Sequence, residues 1–372
     1  MSVPTGPTVL DDRALNRALM HRQFLSERHQ MPVLEAIEHL VGMQSQIPLS
    51  PYVGLWSRLT GFIQHQLADL IESRQVVRVA LMRSTLHLAS ARDCLELRPI
   101  VQPVLDREFF MVSPYGKNLA GVDLGELVAA GRAILEERAL TNAELGRALQ
   151  ERWPGRDATS LGYAMRNNVA LVQVPPRGVW GKRGRPACTT AEHWLGKPVS
   201  DDTRPDAMLL RYLAAFGPAT VRDMEAWSRL TDLAPVVERL RPRLRVFEGS
   251  RGQTLFDVPD GPLPDPQLPI PPRFLPEYDN VLVAFADRRR LLPDAWRSRV
   301  TTNLGRPVLL VDGFAHGHWT IETRPDRATL SVELFGPLAG TATAQVRREG
   351  QALLDWFAPT ARTRQVQIEV VG

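Results

Sequence analysis

The sequence predicts an α+β protein in which tandem helical units, each ending in a β-hairpin, precede a β-rich C-terminal domain. Apolar residues recur at helical spacing before residue 258, and alternating strand patterns dominate after residue 273. Between these parts, seven of the fourteen residues of Pro259–Pro272 are proline, which excludes a helix or a central strand. We interpret residues 259–272 as an extended linker.

The clearest helical unit lies directly before this linker, at residues 201–258. Helical spacing predicts a first helix that Gly217-Pro218 ends, and Thr220 with Asp223 resembles a capping box that opens a second. A third helix and a hairpin follow, which is the order of a winged helix, a helix-turn-helix variant. The predicted elements are helix Asp206–Phe216, a helix to about Leu230, a helix capped by Thr231, and strands Leu244–Glu248 and Thr254–Val258.

Two earlier stretches show the same order, so we predict winged-helix units at residues 1–120, 121–200 and 201–258. In the second unit Thr141 with Glu144 matches a capping box, and a glycine-rich basic segment follows the last helix as a wing. The predicted elements are helices Asp12–Leu25, Val33–Gln44 and Gln64–Glu72 with strands Val76–Met82 and Thr85–Ala89, then helices Leu124–Glu137, 141–153 and Ser160–Val172.

Residues 273–372 are predicted to form the β-rich C-terminal domain, because strand patterns alternate with turns there. One long helix precedes the last strand. The predicted elements are strands Val281–Phe285, Pro307–Val311, His318–Thr323 and Ala328–Phe335, helix Thr341–Phe357 and strand Gln365–Val371.

The composition is that of a globular protein of 372 residues with a small positive charge, from 45 Lys+Arg against 41 Asp+Glu. Two cysteines, Cys94 and Cys188, cannot build a zinc ribbon, an iron–sulfur cluster or a disulfide framework. No apolar run is long enough for a membrane span, and the N-terminus does not resemble a signal peptide. We therefore expect a cytoplasmic monomer that needs no metal and no other cofactor.

Arginine supplies almost all of the positive charge. Among the 45 Lys+Arg residues, only Lys117, Lys182 and Lys197 are lysines. A GC-rich genome explains this bias without any function. Arginine also suits phosphate, because its planar guanidinium binds bidentately. Composition alone leaves both explanations open.

Two glutamines, Gln44 and Gln46, stand where a predicted helix ends before Pro48. The residue before a proline leaves the helical region, so both amides are expected at a helix C-terminus or in the following turn. A polar helix end that bonds to the backbone is the simplest interpretation. An amide is a poor base, but its donors and acceptors can hold and orient a water molecule. Gln44 and Gln46 are therefore candidate catalytic residues.

Basic residues interleaved with Trp180 mark a second candidate site. They fit a wing that follows a phosphate backbone, although a solubilising loop has the same composition. The candidate DNA-binding residues of this segment are Arg177, Lys182, Arg183 and Arg185.

Two further pairs have the i, i+2 spacing that places side chains on one face of a strand. His316 and His318 lack a third partner for a zinc site, and a solvated turn is an alternative. Glu277 and Asp279 are either catalytic carboxylates of a rival scheme or turn-forming residues.

Several separate motifs, in order along nearly the whole chain, resemble the winged-helix DNA glycosylases of the AlkZ type. The resemblance implies a row of winged-helix units, a C-terminal β domain and a catalytic Gln-x-Gln, which Gln44 and Gln46 match. It also implies that His316 and His318 reach towards DNA near the lesion. The matching stretches are VGMQSQIPLSPYVGLWSRL, MRSTLHL, VPPRGVWGKRG, AEHWLG, FGPAT and LPEYDNVL.

The Gln-x-Gln motif departs from the family pattern at one position. The middle residue is usually hydrophobic in the family, whereas Ser45 is small and polar. A related branch of the superfamily carries Asp in place of the second glutamine, so Gln46 matches the AlkZ branch.

The resemblance implies a DNA glycosylase that removes cationic N7-alkylguanine from double-stranded DNA, bulky adducts and interstrand cross-links included. With only three lysines, none near the Gln pair in sequence, we expect it to be monofunctional, without Schiff-base lyase chemistry. Some members protect producers against their own DNA-alkylating antibiotics, azinomycin-like compounds among them, so general repair and self-resistance are both open roles. From the residues alone, a non-enzymatic winged-helix regulator and an interaction scaffold are the alternatives. A regulator would recognise one sequence, whereas a glycosylase would respond to damage in any sequence.

Overall fold

Helices and sheets mix along the chain in the computed structural model, which describes residues 8–301 and 305–371. Within these residues the strands form three sheets. The α+β prediction is therefore confirmed. The designation of the repeated units as winged helices, and the domain boundaries drawn from them, stay predictions.

After the short strand Val9–Leu10, which belongs to another sheet, residues 12–195 form one antiparallel sheet and the helices around it. In chain order the elements are β1 Val9–Leu10, α1 Asp12–Arg22, α2 Val33–His39, β2 Met43–Gln44, α3 Ser50–Trp56, α4 Gln64–Glu72, β3 Val76–Ala80, β4 Leu86–Ser90, α5 Ala91–Ile100, α6 Gln102–Arg107, the π-helix Glu108–Val112, α7 Tyr115–Asn118, α8 Leu124–Glu137, α9 Asn142–Arg152, α10 Ala158–Asn168, β5 Leu171–Gln173, β6 Cys188–Thr190 and α11 Ala191–Leu195. The strand order β2-β4-β3-β5-β6 means that one sheet joins residues 1–120 to residues 121–200.

Three helices and a hairpin make up residues 206–257, in the predicted order. The second helix opens with a capping box, because the Asp223 N–H donates to Thr220 Oγ1 at 3.1 Å and the Thr220 N–H donates to Asp223 Oδ2 at 2.9 Å. β1 pairs in parallel with the first strand of the hairpin, so Val9 and Leu10 share a sheet with this segment. The elements are α12 Asp206–Phe216, α13 Val221–Ser228, α14 Ala234–Leu240, β7 Arg245–Gly249 and β8 Thr254–Asp257.

A five-stranded sheet and one long helix form the C-terminal part. The elements are β9 Arg273–Leu275, α15 Arg297–Thr301, β10 Val308–Val311, β11 Phe314–Arg324, β12 Arg327–Leu334, α16 Gly340–Phe357 and β13 Thr363–Val370. β9 to β12 pair antiparallel, whereas β13 runs parallel to β12 because α16 carries the chain back across the sheet. The predicted strand Val281–Phe285 is wrong, since Asn280–Leu282 forms a 3₁₀ turn capped by the Asp279 side chain.

Buried ion pairs fasten the helical part to distant segments. Arg22 donates to both carboxylate oxygens of Asp257 at 2.6 and 2.8 Å, and Arg58 donates to both oxygens of Asp279 at 2.9 Å. All four side chains are almost completely buried. Removing one partner of such a pair strands a buried charge, at a typical cost of about 3–5 kcal/mol. In the described part of the chain, no helix is both long and apolar enough to cross a membrane.

Candidate active site

Gln44 is placed by a helix that ends earlier than the sequence predicts. α2 ends at His39, because Val41 (φ 55°) and Gly42 (φ 81°) turn the chain through left-handed conformations. A Cβ atom at Gly42 would come within 3.1 Å of the Leu88 backbone oxygen, so the turn favours glycine. The predicted helical extension to Gln44 is therefore wrong, and Gln44 lies in strand β2.

The Gln44 side chain is held from one side. It is 8% exposed and pairs with His87 of β4 in the sheet. The Arg83 Nη2 group donates to Gln44 Oε1 at 2.8 Å, while Gln44 Nε2 has no partner among the described residues. Gln44 lines a narrow cleft together with Ser50 and Asn280.

Arg83 organises the polar end of this cleft. It occupies a left-handed conformation (φ 59°) in the turn between β3 and β4. Besides Gln44, its guanidinium donates to the Trp227 backbone oxygen at 2.7 Å and to Asn280 Oδ1 at 3.1 Å. Burial lowers the pKa of Arg83 to about 9, and the charges of neighbouring arginines act in the same direction. The guanidinium therefore stays cationic at neutral pH. It holds the side-chain oxygens of Gln44 and Asn280 and the backbone oxygen of Trp227 in fixed positions.

His87 is a fully buried imidazole in the strand beside Gln44. Its Nδ1 lies 3.0 Å from the Thr85 carbonyl oxygen, and its Nε2 lies 3.4 Å from the Arg83 guanidinium. The carbonyl requires a proton on Nδ1, which leaves Nε2 as an acceptor. Burial, and then the charge of Arg83, lower the pKa of His87 to about 3. His87 is thus neutral at pH 7 and is not an imidazolium acid.

The side chain of Gln46 continues the pairing between β2 and β4 by accepting a hydrogen bond from the backbone of β4. The Ser45 N–H donates to the Leu86 oxygen at 2.7 Å, but the Leu86 N–H donates to Gln46 Oε1 at 3.3 Å. The Ser45 carbonyl and hydroxyl instead accept from the buried Arg78 at 2.5 and 3.0 Å. Ser45 is itself buried, at a position where the resemblance predicts an apolar residue. The hydrogen bonds from Arg78 satisfy the polar groups of this buried serine.

The two amides therefore share one arrangement. Each oxygen accepts one hydrogen bond from the protein and keeps a second lone pair, and neither Nε2 group has a partner in the described part of the chain. Such a pair can orient a water molecule through both donors and acceptors. An amide is neither a general acid nor a general base, so the pair suits a reaction whose leaving group departs without proton transfer.

The acidic pair considered as a rival site serves two different purposes. Both oxygens of Asp279 are bound by Arg58, and the same side chain caps a 3₁₀ turn. Glu277 is half-buried and accepts from the Ser50 hydroxyl at 2.8 Å. Asp279 is therefore a structural carboxylate, and Glu277 supports the wall of the Gln44 cleft.

The predicted basic wing is the loop 174–187 between β5 and β6. Trp180 anchors it, because the Trp180 ring packs on Tyr52 at a centroid distance of 5.1 Å. The Arg177 Nη1 group donates to the Gly184 oxygen at 3.2 Å, and Arg183 is exposed without an ion pair to any described residue. A Cβ atom at Gly178 would lie 3.2 Å from Arg78 Cδ, so the loop lies beside the arginine that holds Ser45 of the Gln-x-Gln motif. Burial, and then the charge of Arg177, lower the pKa of Arg78 to about 10.

Two other basic residues of this loop are paired with carboxylates. Lys182 pairs with Glu72, and Arg185 pairs with Glu144. Hydrogen bonds from Thr141, and then from Arg185, lower the pKa of Glu144 to about 2. Exposed pairs of this kind are weak, so phosphate can compete for both cations. Contact of the four basic residues with DNA stays a prediction.

His316 and His318 lie near the start of β11 in different surroundings. His318 is 3% exposed, and its Nδ1 lies 3.0 Å from the Pro307 carbonyl oxygen, whereas His316 is half-buried. The turn that precedes them is held to α1, where Arg17 pairs with Asp312 at 2.6 Å. His318 thus has structural partners, and contact of either histidine with DNA stays a prediction.

Several polar residues of the site were not predicted as functional. Arg83, His87 and Asn280 surround Gln44, and Arg78 holds Ser45. The first three fall within the motifs MRSTLHL and LPEYDNVL, so the co-occurrence of these motifs with Gln-x-Gln was the available signal.

The fold is that of a known class of DNA-repair enzyme. The chain superposes on Streptomyces sahachiroi DNA glycosylase AlkZ with a TM-score of 0.78, covering 98% of this chain and 100% of that chain at 19% identity. A likeness at this identity shows the shared fold.

The chain belongs to the DNA glycosylase AlkZ-like family, whose model matches residues 37–356, so the resemblance seen in the motifs is confirmed. It is also similar to the curated interstrand DNA cross-link repair glycosylase of Streptomyces sahachiroi, with 26% identity over 257 residues. That match spans 64% of this chain and 64% of the relative's length.

Proposed function

We propose that this protein is a monofunctional DNA glycosylase that hydrolyses the N-glycosidic bond of cationic N7-alkylguanine in double-stranded DNA, bulky adducts and interstrand cross-links included. The observation that carries the proposal is the amide pair of Gln44 and Gln46. Arg83 and the Leu86 N–H hold the two oxygens, while both NH₂ groups stay open. Family membership supports the glycosylase activity, and the name of the curated relative supports cross-links as substrates.

The charge of the lesion explains why neutral amides suffice. N7-alkylation makes guanine cationic, so the base leaves as a neutral molecule without being protonated. The remaining tasks are to place a water near the anomeric carbon and to stabilise an oxocarbenium-like transition state. The free lone pairs of the two amide oxygens can accept from the water or face the sugar cation.

The same site disfavours neutral bases. Without a positive charge, such a base leaves readily only when an acid protonates it. His87 is neutral at pH 7, and both carboxylate oxygens of Asp279 are bound by Arg58, so neither residue can supply that proton. One oxygen of Glu277 already accepts a hydrogen bond from the Ser50 hydroxyl. Uracil and hypoxanthine should therefore stay in the DNA.

The proposed DNA contacts come from the basic loop and from the helical units, which we propose to be winged helices. The order of elements in residues 206–257 supports that designation. Arg183 is the exposed, unpaired cation of the loop among the described residues, while Lys182 can exchange Glu72 for phosphate. Replacing Lys182 and Arg183 by Gln should lower the salt dependence of binding by about 0.9 in log–log slope for each phosphate that the variant no longer neutralises.

A monofunctional mechanism follows from the scarcity of lysine. Lyase chemistry needs an amine that forms a Schiff base with the sugar. The chain has lysines only at 117, 182 and 197. Lys182 lies in the loop beside the Gln-x-Gln motif, but its ammonium group is paired with Glu72. Borohydride should therefore trap no covalent enzyme–DNA complex. Both general repair and self-resistance to a DNA-alkylating antibiotic are proposed roles for this activity, exerted by a monomer.

The test is incubation with duplexes that carry one N7-methylguanine or one bulky N7-guanine adduct, followed by scoring of abasic sites. Abasic sites in several sequence contexts, with undamaged duplexes left intact, are the expected result. Tight binding to one undamaged sequence without base release would instead identify a regulatory DNA-binding protein.

A further inference from the structure

A small apolar cavity lies beside the Gln-x-Gln motif and has no part in the chemistry described above. Its volume is about 130 Å³. Leucine side chains from different elements dominate its lining, with Arg166, Gln173 and Cys188 at its polar side; the leucines are Leu86, Leu140, Leu145 and Leu171. Half-buried Leu86 and Leu171 show that solvent reaches part of this wall.

Two connections tie the cavity wall to the Gln46 end of the catalytic motif. Leu86 lines the cavity, and its N–H donates to Gln46 Oε1 at 3.3 Å. Gln173 accepts from Arg78 at 2.5 Å, and Arg78 holds Ser45. The cavity therefore borders this end of the motif, away from the Gln44 cleft.

A third connection runs through the turn that carries Arg83. Arg166 lines the cavity, and its Nη2 group donates to the Ser84 oxygen at 2.8 Å. Ser84 directly follows Arg83, which holds Gln44. A group placed in the cavity would thus be fixed relative to both glutamines.

Size and lining select the occupant. An apolar cavity of about 150 Å³ lined by aliphatic side chains stays dry and takes up benzene, so 130 Å³ has room for one flat ring and not for a fused purine. The Arg166 guanidinium at the polar side suits the face of an aromatic group.

We propose that this cavity is a specificity subsite that receives an aromatic ring carried by the N7 substituent of the lesion, while the Gln pair acts on the glycosidic bond. The inference rests on the function proposed above and names the substrate class that the site favours. An adduct without such a ring leaves the cavity empty and reacts at the rate that the Gln pair alone allows.

The test compares single-turnover release of N7-methylguanine and N7-benzylguanine from duplexes of equal sequence. Leu171→Trp fills the cavity and should lower benzylguanine release about 10-fold or more, the range for one or two methylenes in an apolar pocket. Release of methylguanine should stay within about 2-fold. Asn142→Trp, at an exposed rim position, repeats the test without a change in the core.

A reversible version of the test uses the unchanged polypeptide. Burial raises the pKa of the Cys188 thiol to about 11, so benzyl methanethiosulfonate is applied at alkaline pH. There the Cys188 thiolate should displace methanesulfinate and form a mixed disulfide, whereas Cys94 is fully buried. The modified protein should lose its preference for the benzyl adduct and regain it after dithiothreitol, and Cys188→Ser should be insensitive to the reagent.

The outcomes separate the two proposals. Wild-type protein that releases neither adduct contradicts the proposed function. Release of both adducts, with a benzyl-to-methyl ratio that filling the cavity does not change, overturns the subsite alone. An equal loss of both activities on filling also overturns it, because the cavity would then serve the base or the fold.

Discussion

The Gln44–Gln46 pair and the His316–His318 pair have the same i, i+2 spacing but differ in how the fold satisfies their hydrogen-bonding groups. The glutamines lie where a strand runs out, with their oxygens fixed and their NH₂ groups open. His318 lies inside a sheet, 3% exposed and bonded to the backbone. Exposure does not separate the pairs, because Gln44 is 8% exposed while His316 is half-buried. The pairs differ in hydrogen bonding, since neither glutamine Nε2 group has a partner among the described residues.

The difference shows what makes a polar pair functional. A side chain whose hydrogen bonds are all made within the fold adds stability, whereas one held by half of its groups is oriented and still able to bind. Gln44 is oriented and still able to bind, because Arg83 donates to its side-chain oxygen while its Nε2 group has no partner among the described residues. We therefore propose a catalytic role for the glutamines and expect the buried hydrogen bonds of His318 to contribute to stability.

The largest expected effect comes from the glutamines. Gln44→Ala or Gln46→Ala should lower single-turnover excision of N7-methylguanine by roughly 10²–10⁴-fold, the range for losing a group that positions water or stabilises charge. DNA affinity should change little, because neither amide neutralises phosphate. Gln367→Ala, at an exposed glutamine of β13 outside the proposed site, is the matched control and should stay within a few-fold of wild type. Near-wild-type rates for both glutamine variants would remove the catalytic assignment.

Arg83 tests whether orientation of Gln44 matters. Arg83→Met frees the Gln44 amide, and misplacement of such a group can cost about 100-fold in the maximal excision rate. Arg83→Gln keeps a donor without the charge and should recover part of that loss. An Arg83→Gln variant no better than Arg83→Met would mean that the charge, rather than the hydrogen bond, is needed.

The contribution of His318 to stability is tested by removing its side chain. His318→Ala removes a buried, hydrogen-bonded ring and should lower the free energy of unfolding by about 1–3 kcal/mol. Excision at a temperature well below unfolding should be retained. Unchanged stability with weaker binding to damaged DNA would instead place His318 at the DNA surface.

The fourth expected effect concerns pH and is absent at neutral pH. The pKa of His87 is about 3 in the folded protein against an ordinary value of 6.5, so the unfolded chain binds this proton first as the pH falls. The stability from keeping His87 neutral is complete above pH 6.5 and is lost progressively between pH 6.5 and about 3.

Chemical unfolding at several pH values measures this linkage. His87→Gln should reduce the acid-side slope of the unfolding free energy by the equivalent of about one proton. An identical slope in wild type and variant would show that His87 titrates normally in the folded protein.

Local signals made much of the helical part predictable. Thr141 with Glu144 and Thr220 with Asp223 form the capping boxes that their spacing predicts, and Gln64–Glu72, Leu124–Glu137 and Asp206–Phe216 have the predicted bounds. These elements depend on interactions within a few residues, which a sequence displays directly.

Tertiary packing decided what the sequence did not show. The three helices Ser50–Trp56, Ala91–Ile100 and Gln102–Arg107 were not predicted. Ser50–Trp56 is buried throughout, so it lacks the polar face that marks a surface helix. The Val281–Phe285 run is apolar for the same reason, although it forms a 3₁₀ turn rather than a strand.

The candidate site was predictable in part. The resemblance pointed to Gln44 and Gln46, but the partners that hold them come from residues 39 positions away or farther. Arg83 needs a left-handed backbone to reach Gln44, and no local pattern marks that conformation at an arginine.

The central claim is that the lesion must already be cationic, because the described residues of the site offer no acid that could protonate a neutral leaving base. The most direct measurement is single-turnover release from equal-sequence duplexes carrying N7-methylguanine, a bulky N7-guanine adduct, hypoxanthine or uracil. We expect release of both cationic adducts and at least about 100-fold slower release of both neutral bases, the scale of missing general-acid assistance. Efficient release of hypoxanthine or uracil, with the cationic adducts left intact, would contradict the claim.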